Sequence, residues 1–286
     1  MAKLNATKNK VDDAQKVIAQ IEDENMRTLN TEVEVAEDGI VHDVPLLAGY
    51  VDPETGVCHD TFSFREMDGR DEEAINKQDV RANGAKMVNV LCERCVVQIG
   101  SLTKKECGTV KWGQIIRNML GGDLDYMAFK IRELSKGGKI TFTHTCPSCG
   151  TKLKTEMDTN EFPVKPFMGS YTVDFTLMRG YTDKKGDTYK EGTLRLPTGF
   201  DRELVVPSFK KNRVTATTLL MTRLLSFGSD VIITRDDINK MTVRDRDIIE
   251  GIMTDNAFGI DTSLEGLVCD NCGSVLDGVG GTSDFF

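Results

Sequence analysis

The chain has 286 residues, 39% of them apolar, and a formal net charge of −9. That length accommodates two modest domains or one large one, with enough apolar mass for a true core. The acidic balance argues against a binder that works by neutralising phosphates, and no apolar run approaches the ~18 residues that a membrane span needs.

The N-terminal stretch carries basic residues with no apolar segment after them, so it does not read as a secretory signal. A reducing cytoplasm is the expected folding compartment. Within residues 1–30, Val11, Ala14, Ile18 and Ile21 fall on one narrow helical stripe close to a coiled-coil seam. This predicts an N-terminal helical arm. Two readings stand open: docking on a partner or a sister subunit, which would make a homo-oligomer, and packing on the chain's own body.

Residues 31–80 look extended and irregular. Val33-Glu34-Val35 and Thr61-Phe62-Ser63-Phe64 alternate like half-buried strands, and Asp71 is the expected cap of a helix after a charged turn. Residues 85–100 predict an apolar helix ending at Gly100, and 111–119 a shorter one. Asp123 then caps a helix with the stripe Leu124, Met127, Ala128, Ile131 and Leu134, stopped by Gly137-Gly138. Next come a strand from Lys139 to Thr145, the turn Cys146-Pro147-Ser148-Cys149-Gly150 and a strand from Thr151 to Met157. Strand, C-x-x-C-G and strand make the hairpin of a zinc ribbon.

The same order follows again. Tyr171 to Leu177 alternates like a strand, Gly192 to Pro197 reads as another, and residues 214–228 predict an apolar helix ending at Gly228. Asp236 opens a short helix. Thr242 with Asp245 makes a capping-box-like start to the next helix, and Gly259 to Val268 leads into Cys269-Asp270-Asn271-Cys272-Gly273. Each half has an apolar helix with an internal arginine (Arg94, Arg223), a helix with an early aspartate (Asp125, Asp247), then C-x-x-C-G at nearly the same interval. The expectation is an α+β fold of two pseudo-repeated halves, 31–160 and 161–275, each with strands, an apolar helix, a second helix and a ribbon-like knuckle. The arm, 1–30, precedes them and a flexible acidic tail, 276–286, follows. A period this long indicates domain duplication, not a solenoid.

Cytosolic cysteines are not expected to be disulfide-bonded. Six of the eight fall into C-x-x-C pairs: Cys92/Cys95, Cys146/Cys149 and Cys269/Cys272. A C-x-x-C turn presents two thiolates to one ion, and a following glycine permits the positive φ such turns favour. Cys146/Cys149 and Cys269/Cys272 have that glycine, so the leading expectation is one closed, structural, all-thiolate zinc site that staples the halves. The competing arrangement joins Cys92/Cys95 to Cys146/Cys149. Cys92/Cys95 lies inside an apolar helix, however, where buried packing is at least as good a reading. A redox role would place its thiol at a helix N-terminus, which Cys92 does not occupy. Cys58-His59 and Cys107 are candidates for a second site, set against simple packing or surface roles. His144 is a candidate for support of the knuckle from outside the ligand set.

No phosphate-loop, dinucleotide, zinc-protease, hydrolase or deaminase motif occurs. With three histidines and no nucleophile–base set, no enzyme activity is expected. The patches Lys152/Lys154 and Lys210/Lys211/Arg213 read as solvated surface. In the tail, Phe285 and Phe286 are candidate partner-binding residues, because exposed terminal aromatics suggest docking, against the simpler reading of a disordered end.

Phe62-Ser63-Phe64-Arg65-Glu66-Met67-Asp68-Gly69-Arg70-Asp71-Glu72-Glu73, then Cys95-Val96-Val97-Gln98-Ile99-Gly100, then Cys146-Pro147-Ser148-Cys149-Gly150 resembles baseplate-hub and tail-assembly proteins of contractile-tailed bacteriophages. The resemblance covers roughly residues 45–275, and Cys92 departs from it by making a pair where the family pattern has a single cysteine. It implies a T4-like structural or assembly component of the baseplate hub, acting through contacts with other baseplate and tail proteins. Localisation in the host cytoplasm during assembly, and in the virion tail baseplate, follows. The alternative function is a zinc-ribbon protein of nucleic-acid metabolism, which a continuous basic groove beside the knuckles would favour.

Overall fold

A computed structural model of the protein describes residues 34–183, 186–209, 211–228, 231–261 and 267–276. The chain divides into two units, Met1–Glu34 and Val35–Phe286, and the second carries the strands and helices of the described residues. The expected helical arm, the tail beyond Leu276 and its Phe285 and Phe286 lie outside the described residues.

Strands β1 (Ile40–Val51) and β2 (Cys58–Arg65) pair antiparallel. Helices α1 (Gly69–Ile75), α2 (Gln78–Arg81) and α3 (Gly84–Cys95) follow. β3 (Val96–Ile99) returns to pair with β2, and β4 (Leu102–Thr103) completes a sheet in the order β1-β2-β3-β4. Helices α4 (Lys104–Asn118) and α5 (Gly121–Lys136) lead to the hairpin of β5 (Lys139–Thr145) and β6 (Lys152–Asp158), then the short β7 (Val164–Lys165). β8 (Thr172–Thr182) and β9 (Thr188–Arg195) form a second long hairpin, followed by α6 (Gly199–Phe209) and α7 (Arg213–Leu224). β10 (Leu225–Ser226) returns to β9, and α8 (Arg235–Lys240), α9 (Val243–Asp255) and β11 (Gly259–Ile260) follow. β11 pairs with β7, and β12 (Leu267–Val268) pairs with β13 (Val275–Leu276). The fold is therefore mixed helix and strand.

Phe62, Phe64, Leu91, Trp112, Leu124 and Met127 are fully buried in the earlier part of the unit. Phe175, Leu194, Met221, Phe227, Ile238 and Ile249 form a further core, which Leu120 joins from the α4–α5 corner.

Two charged arrangements occur twice. Asp71, wholly buried on α1, accepts from Arg65 Nη1 at 2.6 Å, from Arg94 Nε at 2.7 Å and from the Asp68 amide at 2.9 Å. Asp201, wholly buried on α6, accepts from Arg195 Nη1 at 2.6 Å, from Arg223 Nε at 2.6 Å and from the Thr198 amide at 3.0 Å. Burial opposes both charges. The guanidinium groups, led by Arg65 and Arg195, overcome it, holding Asp71 well below the usual carboxylate range and Asp201 at about 2.

The second arrangement uses strand irregularities. β1 loses its ladder register between Pro45 and Tyr50, and the freed amides of Leu47, Ala48 and Gly49 donate to Asp123 of α5 at 2.7, 3.1 and 3.1 Å. β8 loses register between Thr176 and Tyr181, and the amides of Met178, Arg179 and Gly180 donate to Asp245 of α9 at 2.6, 3.3 and 3.3 Å. A buried strand amide without a ladder partner needs another acceptor. The first turn of a helix is where a carboxylate is best tolerated. Gly49 and Gly180 sit at φ +86° and +89°, with no room for a side chain.

Several expected boundaries move. The helices predicted over 85–100 and 214–228 stop at Cys95 and Leu224, because the residues after each turn extended and pair with β2 and β9. Asp71 is not the cap of α1. Asp68 is, with Asp71 completing the capping box. Asp123 caps nothing: Leu120 precedes α5 without a side-chain cap, and the Asp123 carboxylate is committed to β1. Glu34 and Val35 lie outside any strand. Thr242 caps α9 as expected, donating its hydroxyl to Asp245.

Candidate metal centre

The β5–β6 hairpin runs in unbroken register from Lys139↔Asp158 to Thr145↔Lys152, which carries Cys146 and Cys149 to its tip. The β12–β13 pair holds Cys269 and Cys272 in the same way. The two turns share their hydrogen bonds. Gly150 N donates to Cys146 O at 2.9 Å and Gly273 N to Cys269 O at 2.8 Å. Both glycines lie at φ +71°, the left-handed conformation that lets the turn close around its sulfurs.

The tips face one another. Sγ–Sγ separations are 3.7 Å for Cys146–Cys272 and 3.7 Å for Cys149–Cys269, and all four sulfurs lie within 4.8 Å. A disulfide needs about 2.05 Å, and all four are free thiols. Four sulfurs at ~2.3 Å from a tetrahedral zinc would be roughly 3.8 Å apart. Cys146 and Cys269 are buried and packed with Leu153, whereas Cys149 and Cys272 are exposed.

Polar groups around the exposed sulfurs favour thiolates. The Thr151 hydroxyl is 3.2 Å from Cys149 Sγ, and Asn271 Nδ2 reaches the same sulfur at 3.6 Å and Thr151 Oγ1 at 3.0 Å. These bonds, Thr151 first and Asn271 second, lower the Cys149 pKa. Ser274 Oγ lies 3.3 Å from Cys272 Sγ and lowers that thiol too. Burial raises Cys269. A hydroxyl two residues after the second cysteine thus serves each knuckle, a signal present in the sequence that cysteine spacing alone did not bring out. The four-thiol set fits a divalent soft metal, and four protein sulfurs would fill a tetrahedral shell with no open position for water.

The other cysteines lie elsewhere. Cys92 and Cys95 are buried in α3, with Cys92 Sγ 3.6 Å from Leu124 O and Cys95 Sγ 3.7 Å from Asp71 Oδ2. Burial pushes Cys92 well above the ordinary thiol value and Cys95 up to about 12, the setting of inert core thiols. Neither belongs to the four-sulfur group, which is the one such group among the described residues. Cys58 Sγ is 3.8 Å from Tyr171 Oη, and His59 stacks on Tyr50 beneath Gly100. Sequence reasoning took Asp71, Asp123 and Asp245 only as helix-start residues and missed Asp201; the arginine pairs of Asp71 and Asp201 and the strand amides that Asp123 and Asp245 accept from were not brought out.

The fold and site define a mixed α/β protein with a closed four-thiol centre and no membrane-crossing helix among the described residues. The family model described as T4 bacteriophage base plate protein matches residues 59–205, more than half of the chain. The chain belongs to that family. This supports a structural role in the phage baseplate, with other tail proteins as partners. The matched span includes Cys146 and Cys149 and ends before Cys269 and Cys272. No curated protein and no solved structure matches the chain.

Proposed function

We propose that this protein is a structural component of the baseplate hub, made of two halves of common origin, 31–160 and 161–275, that are stapled by one zinc ion. Cys146, Cys149, Cys269 and Cys272 are its ligands. The observation that carries the reading is the meeting of two glycine-closed knuckles from distant chain segments at tetrahedral spacing in a member of a baseplate family.

The common origin is supported by the paired arrangements. Arg65, Asp71 and Arg94 match Arg195, Asp201 and Arg223, and Asp123 with Gly49 matches Asp245 with Gly180. Asn83 caps α3 as Asn212 caps α7, and stacked Tyr50/His59 corresponds to stacked Tyr181/Tyr189. A closed thiolate site suits a part that bears load, because the metal's binding energy becomes folding energy. Assembly in the host cytoplasm, where thiols stay reduced, agrees with free cysteines. The N-terminal arm would then serve contacts with tail proteins or a second copy.

The test combines metal analysis of freshly reduced protein with mass spectrometry of purified particles. One zinc per chain is expected, lost on Cys146→Ser or Cys269→Ser and kept on Cys92→Ser. A metal-free reduced sample, or equal zinc loss on changing Cys92, overturns the assignment of the centre. Absence of the chain from particles and from assembly intermediates overturns the baseplate role.

A further inference from the structure

An open groove of about 570 Å³ runs between α6 and the α2–α3 corner, lined by Phe200, Leu204, Asp79, Asn83, Lys86 and Lys211 among others. Its α6 wall is apolar and exposed: Phe200 is 46% accessible, Leu204 44% and the adjoining Phe209 45%. Phe200, Leu204 and Pro207 fall on one helical face, and the Arg223 guanidinium lies over the Phe200 ring at 5.1 Å. The ring is thus held in place by a cation–π contact.

The matching helix of the other half shows that the fold does not demand this face. With Arg65 set against Arg195 and Asp71 against Asp201, Phe200 corresponds to Arg70, Leu204 to Ala74, Pro207 to Lys77 and Phe209 to Asp79. Arg70 is exposed, as on a free surface helix; α1 ends at Ile75, so Lys77 and Asp79 lie beyond it. Within the helix, one copy therefore carries Arg70 and Ala74 where the other carries Phe200 and Leu204. Contiguous exposed apolar surface of this kind marks a contact site.

The charge around the groove points to the occupant. Asp79 is already paired with Lys86 at 2.6 Å, and the Glu203 carboxylate with Arg117 at 3.4 Å and Asn89 at 2.9 Å. Lys211, which lines the groove, and Arg213, two residues further on, are exposed and have no acidic partner among the described residues. Among the charged side chains that line the groove, Lys211 is the one without an ion-pair partner among the described residues. A groove with an apolar helical wall is a surface on which an amphipathic helix can lay its own apolar face.

We propose that this groove docks an amphipathic helix of another tail protein, with bulky apolar anchors against Phe200 and Leu204 and a carboxylate opposite Lys211. The proposal rests on the duplication and baseplate readings above. It is tested in the full chain during infection, with the photo-crosslinker benzoylphenylalanine placed at position 204 and, as the internal control, at position 74. Adducts are identified by mass spectrometry of their peptides. The expected result is a peptide of another tail protein, apolar and acid-bearing, attached at 204 and absent at 74, with severalfold lower yield on Lys211→Glu. Equal adducts at both positions, no adduct at 204, an adduct only within the chain or with a second copy, or a yield indifferent to Lys211→Glu each overturn it. If the chain is found in particles without the adduct, the groove alone fails. If the chain is absent from particles and intermediates, the baseplate reading fails with it.

Discussion

The two buried aspartate–arginine triads, around Asp71 and around Asp201, have the same internal charges and differ in what surrounds them. Asp71 and Asp201 have the same partners at nearly the same distances, down to an arginine on the preceding strand and another near the end of the next long helix. Around that skeleton α1 presents Arg70 to solvent, while α6 presents Phe200 and Leu204. The clamps differ too. Both carboxylates are fully buried, and Asp123 has three strand amides whereas Asp245 has three amides plus the Thr242 hydroxyl. Buried ionic groups tie a helix to a strand in a fixed register and tolerate little drift, whereas exposed positions are free to specialise.

The largest effects should come from the paired triads. Replacing Asp71 or Asp201 by Asn leaves two guanidiniums facing an amide that cannot neutralise them. Removing one member of a buried charged set costs about 3–5 kcal/mol. Denaturant unfolding of the reduced protein should show similar losses for Asp71→Asn and Asp201→Asn. A loss below about 1 kcal/mol at one site would mean that its triad is only a geometric echo of the other. Next come the strand glycines. A Cβ on Gly49 would lie 2.9 Å from His59 O, and one on Gly180 2.5 Å from Tyr189 O. An L-residue in the left-handed region costs roughly 1–2 kcal/mol before any clash, so Gly49→Ala and Gly180→Ala should each lose about 2 kcal/mol or more. Tolerance at one of them would break the equivalence of the two irregular strands.

The sequence carried the local features of this fold and few of its long-range ones. The knuckles were readable because Cys146 to Gly150 and Cys269 to Gly273 each contain a whole turn within five consecutive residues. Arg94 and Arg223 stood out as matching positions, but their acceptors lie on other helices, and nothing local distinguishes Asp71 from a cap. Asp125 and Asp247 are the early helical aspartates that the sequence pairs, yet the carboxylates that reach the strands are Asp123 and Asp245. The donors to Asp123 are some 75 residues away in β1, and a local pattern cannot report them. The helix ends were misplaced for a related reason. Cys95-Val96 and Leu224-Leu225 continue an apolar run, and only pairing with β2 and β9 turns that run from helix to strand.

The smallest effect is the most discriminating, because the two clamps should respond to pH with opposite sign. Burial lifts Asp123 to about 6 despite its three amide donors, above the ~3.9 of an unfolded aspartate. Between those values the native state holds a proton that the unfolded chain has released, so this group's contribution to stability grows as pH falls from about 6 towards 4. For Asp245 burial also opposes the charge, but the Met178 amide and the Thr242 hydroxyl outweigh it and lower the pKa. Its contribution is therefore present above about 4 and is lost as pH falls through the folded value. Asp201, at about 2, behaves in the same way. Either Asn variant leaves one strand amide facing an NH₂ group, at a cost of roughly 1–3 kcal/mol, with Asp245→Asn the costlier because the wild-type charge there is favoured. Urea unfolding at pH 7 and pH 5 separates the cases. The gap between wild type and Asp123→Asn should widen at pH 5, while the gap for Asp245→Asn stays flat and closes only under stronger acid. If the two gaps move together, the burial of Asp123 has no electrostatic consequence and the clamps are equivalent in energy as well as in geometry.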